Sequence, residues 1–188
     1  QGCRQCWTAQ GHNYDYGELM GLASREPPFG QLVDPDDESF LRPPDMLAAI
    51  DNFCLRTHQP VPKEPGAYVR TVLESLAFKY SLVLRNLEQV SGTRITQIRI
   101  IGGGSKNRLL NQLTADATGR RVLAGPAEAT ALGNVAIQIL ATGGASSLAE
   151  VRAIVERSFP TEIFDPRESD NWNQHSERFE QYCGSIYA

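Results

Sequence analysis

ITQIRIIGGGSKNRLLNQLTADATG, residues 95–119, carries the strand, turn and helix on which the fold of this chain rests. Ile98 and Ile100 share one side at period two, and Ile95 and Ile101 add apolar surface to the other. The segment is therefore expected to be a strand buried on both faces. Gly102, Gly103 and Gly104 follow. Without Cβ atoms they can adopt positive φ and let a flat or charged group approach the main chain closely. Ser105 or Asn107 can then cap a helix on which Leu109, Leu110, Leu113 and Ala117 share a face, with Gly119 as its stop. Strand, bare turn and helix together make room for a ligand without naming it.

On the N-terminal side, short helices alternate with proline-rich loops. Residues 1–10 read as the end of a helix and 11–13 as a turn, after which Asp15 and Glu18 have capping-box spacing for a short helix with Leu19, Met20, Leu22 and Ala23. Residues 25–44, REPPFGQLVDPDDESFLRPP, are dense in proline and acid and predict irregular chain with a short strand at Gln31 to Val33. Asp34, Asp36, Asp37 and Glu38 cluster there. They could hold a cation, but turn-forming and helix-capping carboxylates in a solvated loop are the favoured interpretation. Asp45 to Thr57 is an amphipathic helix built on Met46, Leu47, Ile50, Phe53 and Cys54, stopped by Pro60 and Pro62. The longest helix spans about Pro65 to Val90, with Val69, Val72, Leu73, Leu76, Ala77, Tyr80, Leu84, Leu87 and Val90 at helical spacing. It is expected to cross the sheet as a core element and to end at Ser91-Gly92.

On the C-terminal side, Arg121 to Ala124 predicts a second strand. Ala129 to Thr142 predicts a helix in which Gly133 and Ala136 permit close backbone packing on a neighbour, while Val135, Ile137, Ile139 and Leu140 supply apolar faces. Ser147 and Glu150 form a capping box for a helix with Val151, Ile154 and Val155. Residues 159–166 read as loop or edge strand. Trp172, His175, Phe179 and Tyr182 recur at steps of three and four, giving a final helix that packs by its aromatic face.

The length of 188 residues suits one domain or a large piece of one. Gln1 has no methionine before it and the chain begins as though inside a helix, so a longer parent protein is expected. With 18 Lys and Arg against 22 Asp and Glu, the net charge of −4 gives no electrostatic case for nucleic acid or an anionic membrane. No apolar run approaches the roughly 20 residues of a membrane span, and a soluble, cytoplasmic protein is expected. Cys3, Cys6, Cys54 and Cys183 are too scattered for a disulfide scaffold. Cys3 and Cys6 have redox or zinc spacing, but no second such pair and no suitably spaced histidine follows, so ordinary thiols are favoured. His12, His58 and His175 lie in separate segments and are expected to be solvated.

The glycine turn is not a Walker A loop, because Lys106 follows the glycines too closely. Nor is it GxGxxG, since Asn107 stands where the third glycine would be. A strand ending in glycines, with an Asn at the mouth of the next helix, suits a flat shelf for an adenine or ribose.

Residues 98–138, IRIIGGGSKNRLLNQLTADATGRRVLAGPAEATALGNVAIQ, resemble the nucleotide-side domain of the FGGY carbohydrate kinases. That pattern runs strand-GGG-x-x-N-x-x-x-Q-x-x-A-D, then a strand, then E-A-(x)-A-L-G-N. It is met by Gly102, Gly103, Gly104, Asn107, Ala115, Asp116, Glu128, Ala129, Ala131, Leu132, Gly133 and Asn134, with Gln112 near its usual place. PDDESFLRP, CLRTHQPVP and VLESLAFKYSLVL extend the similarity over nearly the whole chain.

The resemblance implies an α/β, RNase H-like nucleotide-binding domain of the actin and hexokinase superfamily: its C-terminal part, helix-rich and lacking its first strands. Residues 1–188 would form the ATP side of a kinase whose N-terminal sugar-binding domain is a separate partner. The reaction implied uses ATP and Mg²⁺ to phosphorylate a small sugar, L-rhamnulose, at its 1-hydroxyl. Another ketose or polyol acceptor and a non-catalytic nucleotide-binding or interaction module are the alternatives. By the same resemblance Gly103 would lie against the nucleotide, with Gly102, Gly104 and Asn107 completing the shelf and Gln1 touching ATP from elsewhere. Asp116 and Glu128 would fix geometry. The family's catalytic Asp lies in a segment nothing here matches, so no catalytic residue and no metal ligand are assigned, and the chain alone is expected to be inactive.

Overall fold

The computed structural model describes residues 1–183. Among the described residues the chain forms eight α-helices and a small sheet: α1 (Gly2–Ala9), α2 (Tyr16–Arg25), α3 (Met46–Arg56), α4 (Pro65–Ser91), β1 (Gln97–Ile100), α5 (Arg108–Thr118), β2 (Arg121–Ala124), α6 (Ala129–Ala141), α7 (Leu148–Ser158), β3 (Glu162–Phe164) and α8 (Ser169–Tyr182). The sheet order is β1-β2-β3. β1 and β2 are parallel, with Ile98 opposite Val122, and α5 is their crossover; β3 runs antiparallel to β2, with Phe164 opposite Val122. Residues 159–166 thus provide an edge strand.

Local signals set the helix ends. The Asp15 carboxylate accepts from Glu18 N–H at 2.7 Å while Glu18 accepts from Asp15 N–H at 2.8 Å, so the capping box is complete. Asp45 caps α3 by accepting from Leu47 and Ala48 N–H. Gly92 and Gly119 close α4 and α5 in the left-handed conformation. The box at α7 is displaced: Ser147 accepts from Glu150 N–H, but Glu150 reaches back to Ser146 rather than Ser147.

The core has three parts. α2, α4, α5 and α8 enclose Phe29, Leu32, Leu73, Ala77, Phe78, Leu113, Ala117, Trp172 and Phe179. α1, α2, α3 and α4 enclose a second cluster around Trp7, Leu19, Ile50, Phe53, Cys54 and Tyr68. The third joins α5 to the sheet through Ala115, Val122, Ala124 and Phe164. The expected aromatic face of α8 is therefore internal, with Trp172 2% and Phe179 1% exposed. His175 is not the solvated side chain expected; it is half-buried and stacks on Phe29 with ring centres 4.3 Å apart.

Several expectations are corrected. β1 is not buried on both faces: Ile98 and Ile100 are half-buried against α5's side of the sheet, while Gln97 and Arg99 are exposed and Ile101 is 62% exposed. It is an edge strand, with β2 its one neighbour among the described residues. α4 does not cross the sheet as a core element; its main packing is with α2 and α5, and Tyr80, Leu87 and Val90 near its end are exposed. Gln31 to Val33 form no strand, because side chains rather than a neighbouring strand satisfy the backbone. Leu32 N–H donates to Gln59 Oε1 at 2.9 Å, Val33 N–H to Ser75 Oγ at 2.9 Å, and Gln59 Nε2 to Leu32 O at 2.7 Å. α6 is apolar yet holds no buried residue, and a Cβ on Gly133 would meet nothing within 4 Å, so the expected close packing is not found among the described residues.

Two buried ion pairs fix the proline-rich segment. Glu74, fully buried, accepts from Phe29 N–H at 2.8 Å and pairs with Arg70. The cation held by the acidic loop is a lysine: Lys79 Nζ lies 2.9 Å from both Asp34 and Asp36, and Arg56 pairs with Asp37. Burial pulls the Lys79 ammonium down, but its hydrogen bonds to Asp36 and Asp34 outweigh that and leave its pKa above the ordinary 10.5. A raised lysine pKa stabilises the fold fully below the unfolded value and loses that contribution as pH rises through the folded one. Lys79→Met, which leaves Asp34 buried without its countercharge, should therefore cost about 3 kcal/mol in urea unfolding at pH 7. The gap between variant and wild type should narrow only at alkaline pH, as the wild-type ammonium is lost above the ordinary lysine value of 10.5.

Candidate nucleotide site

The glycine turn is stitched to the segment after β2. Gly125 N–H donates to Ile100 O at 2.7 Å and Gly102 N–H to Pro126 O at 3.1 Å. Gly102 sits at φ 77°, ψ −164°, a backbone conformation in which a side chain is strained. Residues Gly103–Lys106 then form a 3₁₀ turn. Ser105 closes it from within, donating to Gly102 O from its N–H at 3.0 Å and from Oγ at 2.7 Å. Asn107 N–H donates to Gly104 O, and its Oδ1 accepts from Leu110 N–H at 3.0 Å, capping α5. Of the two candidate caps in the sequence, Asn107 is the one that caps the helix and Ser105 the one that ties the turn.

The outer face of this turn is bare. A Cβ built on Gly103 would meet no atom within 4 Å, and one on Gly104 would meet only Ile100 Cγ2, at 3.9 Å. A planar group can therefore lie against the main chain at Gly103 without displacing anything, which is the steric requirement of a purine or ribose shelf. Gly102, Gly103, Gly104 and Asn107 are contiguous in this feature. Gln1 lies apart at the start of α1, accepting from Gln5 N–H, and no hydrogen bond among the described residues joins it to the turn. It borders a groove of about 460 Å³ with Arg4, Gln5, Thr8, Ala9 and Tyr16.

Asp116 accepts from Arg167 N–H at 2.7 Å and from Gln112 Nε2 at 3.0 Å, holding the loop after β3 against α5. Its carboxylate fixes geometry, as expected. Glu128 precedes α6, and its side chain makes no capping bond. The residue that sequence reasoning missed is Asn111. The N-x-x-x-Q spacing places a polar residue four after Asn107, and in this chain that residue is Asn111, not Gln112. Asn111 is 0% exposed and donates from Nδ2 to Ser105 O at 2.8 Å, whereas Gln112 bonds outward to Asp116 and Asp165.

Residues 1–142 match the C-terminal domain of the FGGY family of carbohydrate kinases. The chain belongs to that family. It is 44% identical over 171 residues, 91% of its length, to a rhamnulokinase of Bacteroides thetaiotaomicron, and 43% identical over 164 residues, 86% of its length, to one of Enterococcus faecalis. It spans about a third of the length of each, 34% and 33%. Among solved structures it is similar to a xylulose kinase from Rhodospirillum rubrum (TM-score 0.62, 18% identity, 88% of this chain and 33% of that one). It is similar also to a glycerol kinase from Plasmodium falciparum, solved with ADP (TM-score 0.62, 19% identity, 89% and 33%). At that identity the likeness shows the fold alone, a helix-rich α/β arrangement with a small sheet. Within this FGGY chain no helix of the described residues is long and apolar enough to cross a membrane. No group of three or more His, Cys, Asp or Glu among them could hold a metal ion.

The two exposed-turn glycines differ in what they tolerate. Gly102→Ala, at positive φ, should lower unfolding stability by about 1–3 kcal/mol. Gly103→Ala, facing open space, should stay within about 0.5 kcal/mol of wild type in the same denaturant titration.

Proposed function

We propose that this chain is the ATP side of an FGGY sugar kinase that transfers the γ-phosphoryl group of ATP to the 1-hydroxyl of L-rhamnulose, giving L-rhamnulose 1-phosphate. The observation that carries the proposal is the open backbone at Gly103, in a chain whose curated relatives are rhamnulokinases. Gly102 and Gly104 frame that surface. Asn107 spends its Oδ1 on the α5 cap, which leaves the Nδ2 donor for an acceptor on the purine or ribose. Gln1 would contribute from a separate element as the two halves of the enzyme close.

In such a reaction the gain comes from positioning the phosphoryl donor and neutralising its charge rather than from covalent chemistry. Residues 1–188 orient the nucleotide and an N-terminal domain of the same protein holds the sugar. No residue of this chain is assigned the base that takes the sugar hydroxyl's proton. Mg²⁺ would offset phosphate charge, but no group of carboxylates, histidines or cysteines in the described part is gathered to bind it, so no ligand is assigned here. The glycerol kinase solved with ADP shares this fold.

Xylulose and other ketoses or polyols are alternative acceptors, since sugar recognition rests mainly with the partner domain. A non-catalytic interaction module would present the aromatic face of α8; burial of Trp172 and Phe179 favours the kinase.

In the full-length kinase, Gly103→Val should raise KM for ATP roughly tenfold while KM for L-rhamnulose changes little, because added methyl groups occupy the space a planar ligand needs. An unchanged ATP KM in steady-state assays would overturn the assignment. The isolated chain should release no L-rhamnulose 1-phosphate from ATP and L-rhamnulose in a coupled ADP assay.

A further inference from the structure

Asn111 is fully buried, and its Oδ1 is the one buried side-chain polar atom among the described residues that lacks a hydrogen-bond partner. An amide in that position is costly, since desolvation removes its water and only one of its two polar atoms finds a partner. A leucine of similar size would suit the buried flank of α5 better if packing alone decided the residue. What the amide does is donate from Nδ2 to the Ser105 carbonyl at 2.8 Å. Ser105 in turn donates twice to the Gly102 carbonyl, through N–H and Oγ. A chain of bonds therefore runs from the middle of α5, through Ser105, to the positive-φ pivot of the glycine turn. Asn107 anchors the other end of the turn one helical turn away, accepting Asn111 N–H on its carbonyl at 3.0 Å.

We infer that Asn111 is a positioning residue for the nucleotide: it clamps the Ser105 carbonyl and so sets the height and tilt of the Gly102–Gly104 shelf, without touching the ligand. The side chain is fully buried beneath the turn, and the contact it makes is with the Ser105 carbonyl, so it acts through the turn. This rests on the proposal that the shelf carries ATP.

The test uses the full-length kinase with three variants. Asn111→Leu removes the donor while keeping the bulk; KM for ATP should rise about tenfold, with kcat and the sugar KM within about twofold of wild type. Asn111→Asp keeps the shape but turns a carboxylate toward the Ser105 carbonyl. Burial raises the pKa of such a group, and once protonated it can again donate to that carbonyl. Its ATP KM should therefore be high at pH 8 and fall several-fold toward wild type at about pH 6, a pH response that wild type and Asn111→Leu do not share. Unfolding curves of each variant report any general loss of structure. The inference is overturned if folded Asn111→Leu keeps the wild-type ATP KM. It is equally overturned if Asn111→Asp and Asn111→Leu raise both substrate KM values and lower kcat in parallel, without pH recovery, as a purely structural defect would. Gly103→Val separates the two levels. If it leaves ATP kinetics unchanged, the nucleotide assignment and the inference both fall. If it raises the ATP KM while the Asn111 variants do not, only the inference fails.

Discussion

The constraint on which the structure depends is the burial of α5 on both flanks. From Leu113 to Thr118 every residue is buried, a run of six in a helix of eleven. One side, through Leu113 and Ala117, meets the aromatic cluster of α4 and α8; the other, through Ala115, meets Val122, Ala124 and Phe164 of the sheet. A helix enclosed all round must be small or self-satisfied in side chain. Ala115 and Ala117 supply the small positions. Thr114 and Thr118 return their hydroxyls to the carbonyls of Leu110 and Thr114, at 2.7 and 2.6 Å. With α5 immobilised in this way, both strands it connects and the turn at its start have fixed positions.

The irregular segment before α3 is held by a different kind of force. Phe29 adopts a left-handed backbone conformation, unusual for a bulky residue. Glu74 takes its N–H, Arg178 donates to its carbonyl at 2.8 Å, and His175, Trp172 and Phe78 surround its ring. Five residues further on, Asp34 is tied to Lys79. α4 thus presents Glu74, Ser75 and Lys79 to one stretch of coil and does for it what a neighbouring strand would do elsewhere. These bonds are desolvated, and loss of one partner leaves the other buried and unmatched.

Features encoded by near neighbours in sequence were legible before the structure: the Asp15–Glu18 box, Asn107 as one of two candidate caps for α5, the stops at Gly92 and Gly119, the second strand at Arg121–Ala124, and the aromatic stripe of α8. Each depends on residues three or four apart or on a single φ angle. What was not legible depends on partners far along the chain. Gln31 to Val33 read as a short strand, but Gln59 and Ser75, 27 and 42 residues from Leu32 and Val33, take the bonds. His175 reads as a surface residue until Phe29 is placed against it. The isoleucines around β1 resemble a fully buried strand, yet burial on the second face needs a covering element, and periodicity cannot say whether one is present. In the candidate site the glycines and Asn107 were visible because their chemistry is local. Asn111 stands four residues after Asn107, where the N-x-x-x-Q spacing puts a polar side chain, but it was passed over for the neighbouring Gln112, and its burial shows only in the fold.

Two asparagines, Asn107 at the cap of α5 and Asn111 one turn inside it, divide the work of shaping the shelf. Asn107 is half-buried and local, and its cap could form in any helix of this sequence. Asn111 is enclosed, and its clamp on Ser105 exists only when the two flanking cores have closed around α5. The shape of the bare backbone at Gly103 is therefore not a property of the glycines themselves, which permit many conformations. It is set from below, by a side chain whose own position is fixed by hydrophobic packing against α4, α8 and the sheet. A flexible sequence becomes a defined surface because the helix behind it cannot move.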